Sequence, residues 1–168
     1  LKASVGEREG LVCTSSNAAR ALKWAFERGE KVLFFPDQHL GRNTGYAMGI
    51  PLEEMVLWNW RMPHGGVTAE QLGKAKIILW QGHCSTHQRF TAAQIEKARK
   101  EHPGVRVIVH PECPWDVVQA ADDNGSTEKI VKAISEAPAG TTWAVGTEIN
   151  LVNRLAAQNA DKTVFCLD

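Results

Sequence analysis

Two short stretches of the sequence gather the side chains that can bind a metal or move a proton. Gly82-His83-Cys84-Ser85-Thr86-His87 follows the apolar run Ile77-Ile78-Leu79-Trp80, and His110-Pro111-Glu112-Cys113-Pro114 follows Val105-Arg106-Val107-Ile108-Val109. Cys84 offers a thiolate, either as a metal or cluster ligand or as a nucleophile activated by His83 or His87. A buried inert thiol is the plain alternative. His110 and Glu112, one residue apart, point the same way from an extended backbone, and Pro111 favours extension at His110. Such a pair suits substrate clamping and general acid–base work; otherwise it is a loop salt bridge. Cys113 reads as packing behind the site, and Cys13 and Cys166 as core thiols.

Two further segments carry hydroxyls where a helix should start. Thr14-Ser15-Ser16-Asn17 and Gly125-Ser126-Thr127 could hold a carboxylate or phosphate on hydroxyls and unpaired N–H groups, or act as simple N-caps. Their similar placement in the two halves strengthens the anion reading and leaves both open. Asp37, in Pro36-Asp37-Gln38-His39, is a site group or a helix cap. Trp80 and Trp115 are core residues or walls of a pocket.

These groups must be positioned by the elements around them. Strand-like runs fall at Leu11–Cys13, Lys31–Phe35, Met55–Trp58, Ile77–Trp80, Val105–Val109, Thr141–Val145 and Lys162–Cys166, with helical periods between most of them. Residues 36–44 read as a polar loop before a short helix near Gly45–Met48. Alternation of this kind predicts βαβ units, parallel sheets and helices on both faces. The fold class expected is α/β: two small, pseudo-equivalent three-layer α/β/α domains, 1–72 and 73–168. In such sheets ligands bind beyond the carboxyl ends of the strands, where Cys13-Thr14-Ser15, Asp37-Gln38-His39, Cys84, His110–Cys113 and Gly146-Thr147-Glu148 fall.

Composition narrows the function. The chain has 168 residues, 43% hydrophobic, with 19 basic and 19 acidic residues and no net charge. A neutral chain without a basic face argues against nucleic-acid binding. No apolar run approaches the roughly 20 residues of a membrane span, and the polar start does not read as a signal peptide. Four cysteines without a CxxC pair predict a reducing, cytoplasmic setting with thiols free or on metal.

In order, Cys13-Thr14-Ser15-Ser16-Asn17-Ala18, Pro36-Asp37-Gln38-His39-Leu40-Gly41-Arg42, Trp80-Gln81-Gly82-His83-Cys84-Ser85-Thr86-His87, His110-Pro111-Glu112-Cys113 and Gly125-Ser126-Thr127 resemble the quinolinate synthase family across essentially the whole chain. The resemblance implies a three-domain parent around a cavity with a [4Fe-4S] cluster held by one cysteine per domain, its fourth iron open as a Lewis acid. It implies condensation of iminosuccinate with dihydroxyacetone phosphate to quinolinate and phosphate in NAD biosynthesis. It further implies functional coupling to L-aspartate oxidase or aspartate dehydrogenase. By motif, Cys84 matches a cluster cysteine, His110 and Glu112 the substrate-binding and acid–base pair, and Pro111 part of the same segment. Ser15 matches a substrate-binding serine, and Ser126 and Thr127 the anion-holding hydroxyls.

The chain departs from the family pattern at both ends. The first domain, with another cluster cysteine, is absent, as is the Tyr-x-Asn segment expected before Leu1. The last cluster cysteine is expected beyond Asp168, with Cys166 a rival. The expectation is therefore the middle and last domains of a longer enzyme, inactive alone. The alternatives are an α/β enzyme with Cys84 as thiolate nucleophile and His87 as base, and a non-catalytic anion-binding α/β module.

Overall fold

The computed structural model describes residues 2–168 and divides the chain into two compact units, 1–83 and 84–168. Unit 1 contains α1 (Lys2–Glu7), α2 (Ala18–Phe26), β1 (Val32–Phe34), α3 (Gln38–Ala47), β2 (Met55–Trp58), α4 (Ala69–Lys74) and β3 (Ile77–Trp80). Its sheet is parallel, in the order β1-β3-β2. The alternation of β1 and β3 turns Phe34, Ile77 and Leu79 onto one face, where they meet Ala18 and Leu22 of α2 and Leu40 of α3. The Lys31 ammonium donates to the carbonyls of Leu72, Gly73 and Ala75 at 2.6–3.0 Å, closing the carboxyl end of α4.

Three expectations for this unit are corrected. Residues 38–47 are helix rather than loop: the Asp37 carboxylate accepts the Leu40 N–H at 2.8 Å and starts α3. Gly41 and Gly45 lower the helical propensity, yet packing requires them. A Cβ on Gly41 would lie 2.6 Å from Phe34 Cδ1, and one on Gly45 would lie 2.5 Å from Ile77 Cδ1. Leu11–Cys13 is irregular backbone, because no strand of the sheet pairs with it. Finally, β3 hydrogen-bonds both β1 and β2 as the middle strand of the first sheet, so the division falls after His83 rather than at 72/73.

Unit 2 contains α5 (Ala92–Glu101), β4 (Arg106–Val109), α6 (Trp115–Ala120), β5 (Asp123–Asn124), α7 (Thr127–Ser135), β6 (Thr142–Gly146), α8 (Ile149–Gln158) and β7 (Thr163–Cys166). The parallel order β5-β4-β6-β7 has four strands where three were expected. The added strand is β5, only two residues long. Ile95, Ala98, Val107, Val109 and Val117 form a core on one face, with helices α5 and α6. Ile108, Ile130, Ile134, Trp143, Val145 and Leu155 form another on the opposite face, with α7 and α8. The three-layer α/β/α arrangement follows directly. Thr68 and Thr91 each start a helix with a reciprocal capping box, through Gln71 and Gln94.

Candidate functional site

The strand order of unit 2 fixes where its site lies. From β4 the chain steps to β5 on one side, then returns across to β6 and β7 on the other. The crevice beyond the carboxyl ends of β4 and β6 is therefore the topological switch point, the usual ligand position in open parallel sheets. His110, Pro111 and Glu112 leave β4 there, and Thr147 leaves β6. The His110 N–H donates to the Gly146 carbonyl at 2.9 Å, joining the two strand ends.

Around this crevice the polar groups are tied together. His87, in the 3-10 turn His87–Arg89, donates from Nδ1 to Glu112 Oε2 at 3.0 Å, and its Nε2 lies 3.2 Å from Thr147 Oγ1. The His87 ring stacks on His110, with centroids 4.2 Å apart and planes 12° from parallel. The Glu112 N–H donates to His110 Nδ1 at 3.3 Å, which places the proton of the neutral His110 ring on Nε2. The metal-capable atoms of Cys84, His87 and Glu112 all lie within 4.8 Å of one another.

The environment sets the charges. Burial first, and the neighbouring His87 second, push His110 down to about 4, against the opposing pull of Glu112. His110 is thus a neutral N–H donor near pH 7. Glu112 is held below the usual carboxylate range, mainly by the hydrogen bond from His87. Burial opposes that effect, while charge on His110 and His87 and a hydrogen bond with Cys84 reinforce it. A carboxylate base and a neutral imidazole donor therefore stand side by side, a pairing suited to proton abstraction beside a polarised carbonyl or imine.

Cys84 opens unit 2 and is partly accessible, whereas Cys113 is fully buried with Sγ 3.6 Å from the Gly146 carbonyl, in the packing role expected for it. Cys166 packs against the two cores of unit 2, and Cys13 against the core of unit 1. Ser126 caps α7, its hydroxyl accepting the Lys129 N–H at 3.4 Å, and exposed Thr127 is the first residue of that helix, beyond the end of β5. Ser15 lies in unit 1, in the turn at 15–17 before α2. Asp37 is the N-cap of α3, and Trp80 stacks on Trp60 with centroids 6.2 Å apart.

His87 enters this cluster as a partner of Glu112 rather than as the base of Cys84. Both its nitrogens are engaged, which speaks against the thiolate-nucleophile alternative. Thr147 was marked in the sequence only as one of several strand-end groups. Its signal is the adjacency of β4 and β6, which becomes visible once the strand order is known.

Fold and site together define a parallel α/β protein with a partly accessible thiol beside a carboxylate–imidazole pair at the switch point. The chain belongs to the NadA family, described as Quinolinate synthetase A protein, whose match covers residues 1–168. It is 64% identical to a quinolinate synthase of Corynebacterium glutamicum, with all of this chain and 43% of the relative covered. It is 58% identical to the quinolinate synthase of Acidobacterium capsulatum, covering 46% of that protein, and 56% identical to that of Streptomyces coelicolor, covering 43%. The chain thus spans less than half the length of these relatives. Among the described residues, no helix is long and apolar enough to cross a membrane.

Proposed function

We propose that this chain supplies the acid–base pair and one cluster thiolate of a quinolinate synthase, which condenses iminosuccinate with dihydroxyacetone phosphate to quinolinate and phosphate in NAD biosynthesis. The observation that supports it is the convergence of Cys84, His110 and Glu112 within unit 2 of a chain of this family. The imine substrate makes L-aspartate oxidase or aspartate dehydrogenase the functional partner, in the cytoplasm.

Cys84 fits a [4Fe-4S] cluster: a partly accessible soft thiol, unlike the fully buried Cys113. Cys84 would hold it on this chain, and when bound it supplies Lewis-acid iron. The other work falls to the chain's own residues. Glu112 takes and returns protons during dehydration and ring closure. His110, with Pro111 fixing its segment, donates from Nε2 to a substrate oxygen. Ser126 and Thr127 at the α7 start, and Ser15 in unit 1, hold carboxylate or phosphate oxygens.

The test uses the full-length enzyme prepared without oxygen. Glu112→Gln is expected to lower kcat by about 10²–10⁴-fold with the cluster absorbance retained. Cys84→Ala is expected to abolish that absorbance. The 168-residue chain alone is expected not to turn over. An active, colourless, iron-free full-length enzyme would overturn the proposal.

A further inference from the structure

Unit 2 carries four strands and unit 1 three, and the shortfall has a definite place. In unit 2, β5 leads through Gly125-Ser126 into the nine-residue α7, then to β6 and the ten-residue α8. In unit 1, residues 11–13 lead through 14–17 into the nine-residue α2, then to β1 and the ten-residue α3. The six-residue helices α6 and α1 precede β5 and residues 11–13 in the same way. Residues 11–13 therefore stand in the place of β5, and β1 in the place of β6. Between β5 and β6 lies β4, hydrogen-bonded to both. Among the described residues no strand fills the corresponding place in unit 1; the cavity of about 600 Å³ runs there instead, with Leu11, Val12 and Cys13 on one bank and Leu33 and Phe35 on the other. The N–H groups of Leu11, Val12 and Cys13 reach no acceptor among the described residues. On the other bank, β1 pairs with β3 alone, and the Val32 N–H donates to the Lys76 carbonyl at 2.9 Å. Alternation along a parallel ladder then turns the N–H groups of Leu33 and Phe35 away from β3, towards the cavity. Leu11 and Leu33 are each 50% exposed and Val12 49%.

We propose that this trough seats one further parallel β-strand, which pairs with residues 11–13 on one side and with β1 on the other. Two facing rows of unpaired backbone groups with apolar side chains between them call for an occupant that offers N–H and C=O groups to both sides and apolar side chains to both faces. A strand does this, and a small molecule does not. Its chemistry is that of β4, where Val107, Ile108 and Val109 are fully buried: a short run of β-branched apolar residues. The spacing names the segment. Residues 110–114 join β4 to α6, so the occupant ends about as far ahead of α1, in the stretch just before Leu1 in a longer protein. The relatives, more than twice the length of this chain, have room for it. A second copy of this chain is the competing occupant, since a free strand edge accepts any strand. The proposal is independent of the catalytic roles given above.

The experiment uses the full-length enzyme and needs no activity. Val12 or Leu33, one on each bank, is replaced by the photo-cross-linker p-benzoylphenylalanine. On irradiation both positions are expected to join to the same peptide, one that ends shortly before Leu1. Cross-links from the two positions to different segments, cross-links to a second copy of the chain, or none at either position would overturn the proposal. Hydrogen exchange of the unsubstituted full-length enzyme reads the pairing without any variant. The amides of residues 11–13, Leu33 and Phe35 are expected to exchange about 100-fold or more slower than in the unfolded chain. Exchange of residues 11–13 within about threefold of the unfolded rate would show that no strand pairs with them and would overturn the proposal by itself. An inactive or iron-free enzyme would count against the functional proposal and leave both readouts standing.

Discussion

The two units use one construction to different depth. In unit 2 the sheet is covered on both faces, and Val107, Ile108 and Val109 of β4 are fully buried in alternation between two cores. In unit 1 the main core lies on one face, with Val56 of β2 buried on the other. The register turns Leu33 to the other face, where it is 50% exposed, and α4 buries none of its residues. Unit 1 also has a cavity of about 600 Å³ along the 5–13 segment, α2 and β1, with Leu11, Val12, Trp24 and Leu33 among its walls. The titratable cluster sits on the fully packed unit. Holding a neutral imidazole and an ionised carboxylate in fixed contact requires strand ends that cannot shift, and the two-sided core of β4 and β6 supplies them.

The sharpest way to break this comparison is to open the core of unit 2. Trp143 is 1% exposed, sits under Arg106 and donates from Nε1 to Thr141 Oγ1. Trp143→Ala is expected to cost about 3–5 kcal/mol in denaturant unfolding. Loss of amide protection should be concentrated in 84–168. Equal loss across both units would mean that they unfold as one.

A second effect comes from acid. His110 takes its proton only near pH 4 when folded, against about 6.5 when exposed, so the unfolded chain binds more protons between those values. Stability therefore falls as pH drops from about 6.5 towards 4. Glu112 acts in the same direction: its contribution is present above the usual value of 4.5 and is lost as pH falls through its depressed one. His110→Asn should flatten the upper part of this dependence in unfolding midpoints measured across the range. An unchanged slope would show that His110 is not kept neutral by burial.

The same contrast separates what was legible in the sequence from what was not. Strands β4, β6 and β7 could be read because local pattern and final packing agree there. Helix α3 could not, since Gly41 and Gly45 argue against a helix until Phe34 and Ile77 are seen pressing on them. Cys84, His110 and Glu112 stood out by residue type and strand-end position. Their link through His87 to Thr147 depends on β4 and β6 being neighbours, a fact of sheet order that no local spacing encodes. The boundary at 72/73 differs from the division after His83 for a related reason: β3 lies beyond 72 in sequence but returns to the middle of the first sheet.

Smaller changes in unit 1 sharpen the comparison from the other side. Asp37→Ala removes the buried cap of α3 and is expected to cost about 1 kcal/mol, the usual worth of an N-cap. Leu33→Ser, on the uncovered face of β1, is expected to change the stability of the 168-residue chain by no more than about 0.5 kcal/mol. The reasoning is geometric: a side chain already half in water loses little apolar burial when shortened, and β1 keeps its ladder to β3 through the backbone. The contrast lies in the alternation itself. Phe34, one residue on and turned inward, touches the α3 glycines' side of the sheet, so Phe34→Ala should cost several times more than Leu33→Ser. If the two substitutions proved equally costly, the outer face of β1 would have to be covered after all, and the one-sided reading of unit 1 would fall.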